Sequence, residues 1–174
     1  MKKLFLIAAA ALTMMTAPAF AETNVGVVNV AKIMHDSKAA TSVRGQLQTK
    51  QKAFQAELDQ KGKALQAEDQ ALVKQKDTAD KAAFDKKVAD FRARAAKEQK
   101  AIQDKKVALD KAFSASLEEI QKNVLDIVKQ VAADKKLNLV VSSAQVLYAD
   151  QPLDITDEVL KQLDTKLPNV AVKF

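Results

Sequence analysis

Apolar positions follow different rhythms in successive parts of this chain. Leu4 to Met15 is an apolar run broken only by Thr13. Val25-Gly26-Val27-Val28-Asn29-Val30 is a short β-branched run that reads as a first strand. From about Ser37 the apolar residues fall at gaps of 3, 4 and 7 and continue so for roughly 100 residues. After Lys135 the pattern returns to short apolar runs, Leu137 to Val141 and Val146 to Tyr148, separated by Ser142-Ser143-Ala144-Gln145. These read as two strands of a hairpin. Asp154-Ile155-Thr156-Asp157-Glu158 then opens a short helix, with Thr156 as the expected N-cap and two acids at its positive end. Val159, Leu160 and Leu163 are its inward residues, and it should stop before Pro168.

The long periodic segment is rich in Ala, Lys, Gln, Leu and Glu, and no Pro occurs between Pro18 and Pro152. One helix of that length would reach about 150 Å, so a reversal is expected. Apolar spacing lapses at Gln75-Lys76-Asp77-Thr78-Ala79-Asp80, where Asp77 or Thr78 could cap a second helix. The outgoing stripe is Leu47, Phe54, Leu58, Leu65 and Leu72. The returning stripe runs from Phe84, Val88, Phe91 and Ala95 through Ile102, Leu109, Phe113 and Leu117 to Ile120, Val124, Ile127 and Val131. It is a heptad seam with one stutter. Ala95, Glu98 and Lys105 fall on its inward side, which predicts a thin distal seam and firm packing only at the base. Gly45 and Gly62 mark bends at most.

These elements predict an α+β fold, mostly α. A long antiparallel coiled-coil hairpin, residues 37–136 with its tip near 75–80, projects from a small β-stranded body of residues 22–36 and 137–174. A body this small buries little surface and leaves strand edges unpaired, so self-association is expected. The residues assigned to that oligomerisation body are Val27, Val28, Leu139, Val140, Val141, Val146 and Tyr148.

Composition narrows the chemistry. Lys2 and Lys3, the following apolar run and Ala19-Phe20-Ala21 have the form of a signal peptide cleaved after Ala21, implying export. The apolar run is shorter than the roughly 20 residues that span a bilayer. The chain has no Cys, one His and three Gly, so neither a phosphate-binding glycine loop nor a zinc site of the usual ligands can be written. No Ser-His-Asp or Cys-His arrangement is available, and His35 reads as a helix-start or surface residue. Adjacent carboxylates such as Glu68-Asp69 and Glu118-Glu119 diverge on a helix. No enzyme, metal or cofactor is expected.

Formal net charge is +6, and Lys74 to Lys106 holds 11 basic against 6 acidic residues. The excess sits at the far end of the arms, where Lys74, Lys76, Lys81, Lys86, Lys87, Arg92 and Arg94 are candidate contacts for anionic partners. Acidic unfolded chains and anionic phospholipid head groups fit that description. Nucleic acid does not, given the export signal and the scarcity of aromatics among the basic residues.

Val27-Val28-Asn29-Val30, Leu137-Asn138-Leu139-Val140-Val141, Val146-Leu147-Tyr148 and above all Asp154-Ile155-Thr156-Asp157-Glu158-Val159-Leu160-Lys161-Gln162-Leu163 carry a resemblance. The chain resembles the Skp (OmpH-like) family of periplasmic chaperones over its whole mature length, by pattern rather than motif in the arms. The resemblance implies a jellyfish-shaped homotrimer and ATP-independent holding of unfolded outer-membrane proteins in the periplasm. Of the family's proposed lipopolysaccharide-binding cluster only Lys111 has a match here; Ala112 and Asn123 stand elsewhere. A different class of function, an adaptor coiled coil docking on a folded envelope partner, would bind one folded protein and ignore unfolded chains.

Overall fold

The computed structural model describes residues 23–76 and 80–174. The signal-peptide assignment and the candidate caps Asp77 and Thr78 lie outside the described residues. The chain runs through β1 (Val25–Val28), α1 (Val30–Asp36), α2 (Lys38–Gln75), α3 (Lys81–Asp134), β2 (Leu139–Ser142) and α4 (Thr156–Lys166), with single 3-10 turns at Ser143–Gln145 and Gln151–Leu153.

The first strand ends two residues earlier than its β-branched pattern suggests. The Asn29 side chain accepts a hydrogen bond from the Lys32 amide at 2.8 Å and starts α1, so Val30 is helical. Ser37 separates α1 from α2 by serving both. Its amide donates to the Ile33 carbonyl, closing the first helix, while its hydroxyl accepts from the Ala40 amide, opening the next. The Asp164 carboxylate of α4 takes the Lys38 amide at 2.8 Å, satisfying another free donor of that turn.

Helices α2 and α3 have 38 and 54 residues, spanning about 57 and 81 Å. Both pass through the positions of the expected seam, and α2 continues unbroken across Gly45 and Gly62. Asp80 itself caps α3, accepting from the Ala83 amide at 3.1 Å. The arms are unequal because α3 extends past α2 into the body. Its end is a Schellman-type closure: the Leu137 amide donates to the Ala132 carbonyl and the Lys136 amide to the Ala133 carbonyl. This places Lys136 at φ 56°, a left-handed conformation for a residue with a Cβ.

β1 and β2 pair in parallel, Val25 opposite Leu139 through Val28 opposite Ser142. Parallel neighbours need a long crossover, and here the whole helical hairpin supplies it. A bridge from Val27 to Asp154 lies beyond β1. The expected second hairpin strand is not formed: Ser143–Gln145 is a 3-10 turn, and Val146 to Tyr148 pair with no strand among the described residues. Leu147 and Tyr148 project outward instead of facing a sheet.

The core lies where the body meets the arm base. Ile33 of α1, Val43 of α2, Ile120, Ile127 and Val131 of α3, and Val159 and Leu163 of α4 are all fully buried. Ala39, Ala40 and Ala112 allow close approach of the two arms there. Beyond that base, Leu72 is the one apolar arm residue among those described that is buried. The remaining seam residues are half-buried, as a two-helix layer without a third face must leave them.

Candidate functional site

The Asp154-Ile155-Thr156 motif is a structural latch. Thr156 is buried, and its hydroxyl accepts the Asn29 amide at 2.8 Å, tying the start of α4 to the β1–α1 junction. It is the first residue of α4 and not the N-cap, a place held by Ile155, which has no capping side chain. The Asp154 carboxylate accepts the Thr156 amide at 2.8 Å, while the Ile155 amide donates to the Val27 carbonyl. Asp157 and Glu158, placed at the positive end of α4, also reach out to Lys32 at 2.7 Å and Lys135 at 2.9 Å. The hydrogen bond from Lys32 to Asp157 keeps the Lys32 ammonium protonated above its usual range.

Along the arms the inward polar residues form a ladder. Lys61 bridges Glu57 on its own helix and Glu98 on the opposite one. Lys105 crosses to Glu57, and Arg94 to Glu68. Hydrogen bonds from Lys105 and then Lys61 hold the Glu57 carboxyl below its ordinary 4.5. The Lys61 ammonium is raised above 10.5, by Glu98 first and Glu57 second. Every rung is partly open to water, so solvent screens it and its net contribution is small. The ladder sets register more than it adds strength.

The candidate basic contacts divide by role. Lys74, Lys76, Lys81, Lys86, Lys87 and Arg92 are exposed around the distal third of the hairpin. Lys81 has only a 3.7 Å approach to Asp85 on its own helix, and Lys87 donates to Gln75 across the arms at 2.7 Å. Lys86 and Arg92 have no carboxylate partner among the described residues. Arg94 differs, because its guanidinium is held by Glu68 as a cross-arm strut. His35 is exposed, with Nδ1 2.6 Å from Asp36 Oδ1.

The body residues also divide. Val27 and Val28 are buried within the chain, whereas Val140, Val141 and Val146 are half-covered and Leu139 is 50 % exposed. Leu147 is wholly exposed and Tyr148 is 80 % exposed, its hydroxyl donating to Asp150. Leu139, Leu147 and Tyr148 thus stand on the surface around β2.

Two features escaped the sequence reading. The ladder was half visible, since Glu98 and Lys105 stand at inward positions, but their partners Glu57 and Lys61 are found only by laying the arms side by side. The other is the C-terminal tail. Gln46 grips it with both ends of its amide, donating to the Val170 carbonyl at 2.7 Å and accepting from the Val172 amide at 3.1 Å. Ser42 donates to Asn169 beside it. Phe174 is thereby laid against α2 near Lys50 and Phe54. Among the described residues no cluster of His, Asp and Glu could hold a metal ion, and no helix is long and apolar enough to cross a membrane.

A search of curated proteins returns no match. The fold matches a crystal structure from Caulobacter crescentus CB15, a protein proposed to be an outer membrane chaperone (OmpH-like), with a TM-score of 0.79 and 23 % identity over 86 % of this chain and 88 % of that one. The family model for outer membrane protein (OmpH-like) matches residues 24–163, from the approach to β1 to the end of the Asp154 to Leu163 motif. The chain belongs to the OmpH-like family.

Proposed function

We propose that this protein is an ATP-independent periplasmic chaperone that holds unfolded outer-membrane proteins and prevents their aggregation. It is exported by the segment ending at Ala21 and acts as a homotrimer whose subunits join through the body. One observation carries the reading. Two long helices leave the one firm core among the described residues and continue with half-buried seams and cations without a carboxylate partner there, a surface suited to many weak contacts rather than one converging site. Family membership and the chaperone assignment of the Caulobacter protein support the same reading. Exposed Leu139, Leu147 and Tyr148 support self-association, since apolar residues grouped on a small body call for cover. The cations at Lys81, Lys86, Lys87 and Arg92 would draw acidic or anionic partners in a salt-dependent manner.

The test is dilution of a urea-unfolded outer-membrane barrel protein into buffer with and without the mature protein, in the absence of nucleotide. Light scattering should fall as the chaperone approaches a stoichiometric excess. Scattering that is unchanged at any ratio contradicts the proposal.

A further inference from the structure

An open cleft of about 330 Å³ lies at the shoulder of the hairpin, between the arms and the C-terminal tail. Phe54 and Phe174 wall it, and Leu109 with Ala53 and Ala108 supplies the apolar floor. Each wall ring carries a cation. Lys50 Nζ lies 4.9 Å from the centre of the Phe174 ring, and Lys105 Nζ lies 5.8 Å from that of Phe54. Lys105 is also engaged with Glu57, whereas Lys50 forms no ion pair among the described residues. Phe174 is only half covered, although Val170 and Val172 before it are buried and Gln46 fixes their backbone. The tail thus adds a second aromatic ring to the lining of a cleft that already holds Phe54.

We infer that this cleft is a binding site for an aromatic side chain of an extended, unfolded polypeptide, inserted between Phe54 and Phe174. The electrostatics favour an aromatic guest over an aliphatic one of like size. A third ring gains edge or face contacts with two phenyl groups, and its π-face is complementary to ammonium groups already stationed at both walls. The cleft volume is at the low end of small-ligand sites, enough for one side chain and not for a folded surface. The inference deepens the chaperone reading, since it names one contact by which a client would be held.

The chain contains no Trp, so an indole in a guest peptide can be followed without background. A short neutral peptide with a single central Trp is titrated with the full mature protein. Its emission should shift to the blue and saturate, and the same peptide with Leu in place of Trp should compete at least about threefold more weakly. Phe174→Ala, at the chain end, and Ala108→Glu, at an exposed helical position, should each weaken binding at least about fivefold. Circular dichroism should be unaltered in both. Failure to saturate, equal competition by the Leu peptide, or unchanged or tighter binding to Phe174→Ala overturns the inference; tighter binding would make Phe174 a plug rather than a wall. The aggregation assay on the same samples separates the two claims. Suppressed aggregation without peptide binding removes the cleft alone, and peptide binding without suppression removes the chaperone reading alone.

Discussion

Thr156 ties two distant parts of the chain together through one polar side chain. Its hydroxyl is the partner of the Asn29 amide at the junction of β1 and α1, in a buried position. Thr156→Val preserves shape and leaves that N–H unpaired, so stability should drop by about 1–3 kcal/mol, read as a lowered thermal midpoint by circular dichroism. Lys136 offers the opposite case. It holds φ 56° to close α3, a conformation that costs a residue with a Cβ about 1–2 kcal/mol. Lys136→Gly should raise the midpoint, with part of the gain lost to the added freedom of the unfolded chain. Gly26 is constrained by its neighbour: a Cβ there would come within 2.7 Å of a Leu137 methyl. None of these roles shows in composition: Lys136 acts through the closing turn of its own helix, whereas Thr156 and Gly26 act through residues more than 100 positions away.

The arms were legible in the sequence because a seam of period 3.5 over many turns has one physical solution, and its interruption can only be a reversal. The base was legible for the same reason, since Ile120, Val124, Ile127 and Val131 are bulky and closely spaced, and all are buried. The short elements were harder to read. Asn29 and Val30 closed the β-branched run that reads as strand, yet Asn29 is a good N-cap and the cap decided. Val146-Leu147-Tyr148 looked like the second strand of a hairpin because a short apolar run often marks a strand; here its largest residues are on the surface and unpaired among the described strands. In the seam, the Glu57–Lys61–Glu98 and Lys105–Glu57 contacts carry a pH signature. Glu57 has a depressed carboxyl, so its contribution is complete above the ordinary value of 4.5 and is lost as pH falls through the lower folded value. Amide protection around residues 57–61 and 98–105, taken after correcting exchange for its intrinsic pH dependence, should therefore be steady near neutrality and fall in acid below 4.5. A Glu57→Gln variant should show the lower protection already at neutral pH, and protection that is unaltered in both would mean the ladder does not hold the arms.

At the scale of the whole molecule, a firm base carries two slender rods that have almost no core of their own. That division gives one chain a stable platform and arms of lower local stability, because local stability tracks buried apolar contact. The proposed assembly rests on the other exposed feature, the apolar residues around β2. Leu147→Ser with Tyr148→Ser changes side chains that are outside the single-chain core, so the fold should survive while the mass by light scattering falls below that of a trimer. A trimer of unchanged mass would place the subunit interface elsewhere. The proposed holding of unfolded chains is tested most directly by a binding titration of one labelled outer-membrane barrel protein in two forms, urea-diluted and detergent-folded, without nucleotide. The unfolded form should bind saturably and the folded form not at all. Equal binding of both, or binding of the folded form alone, would contradict it.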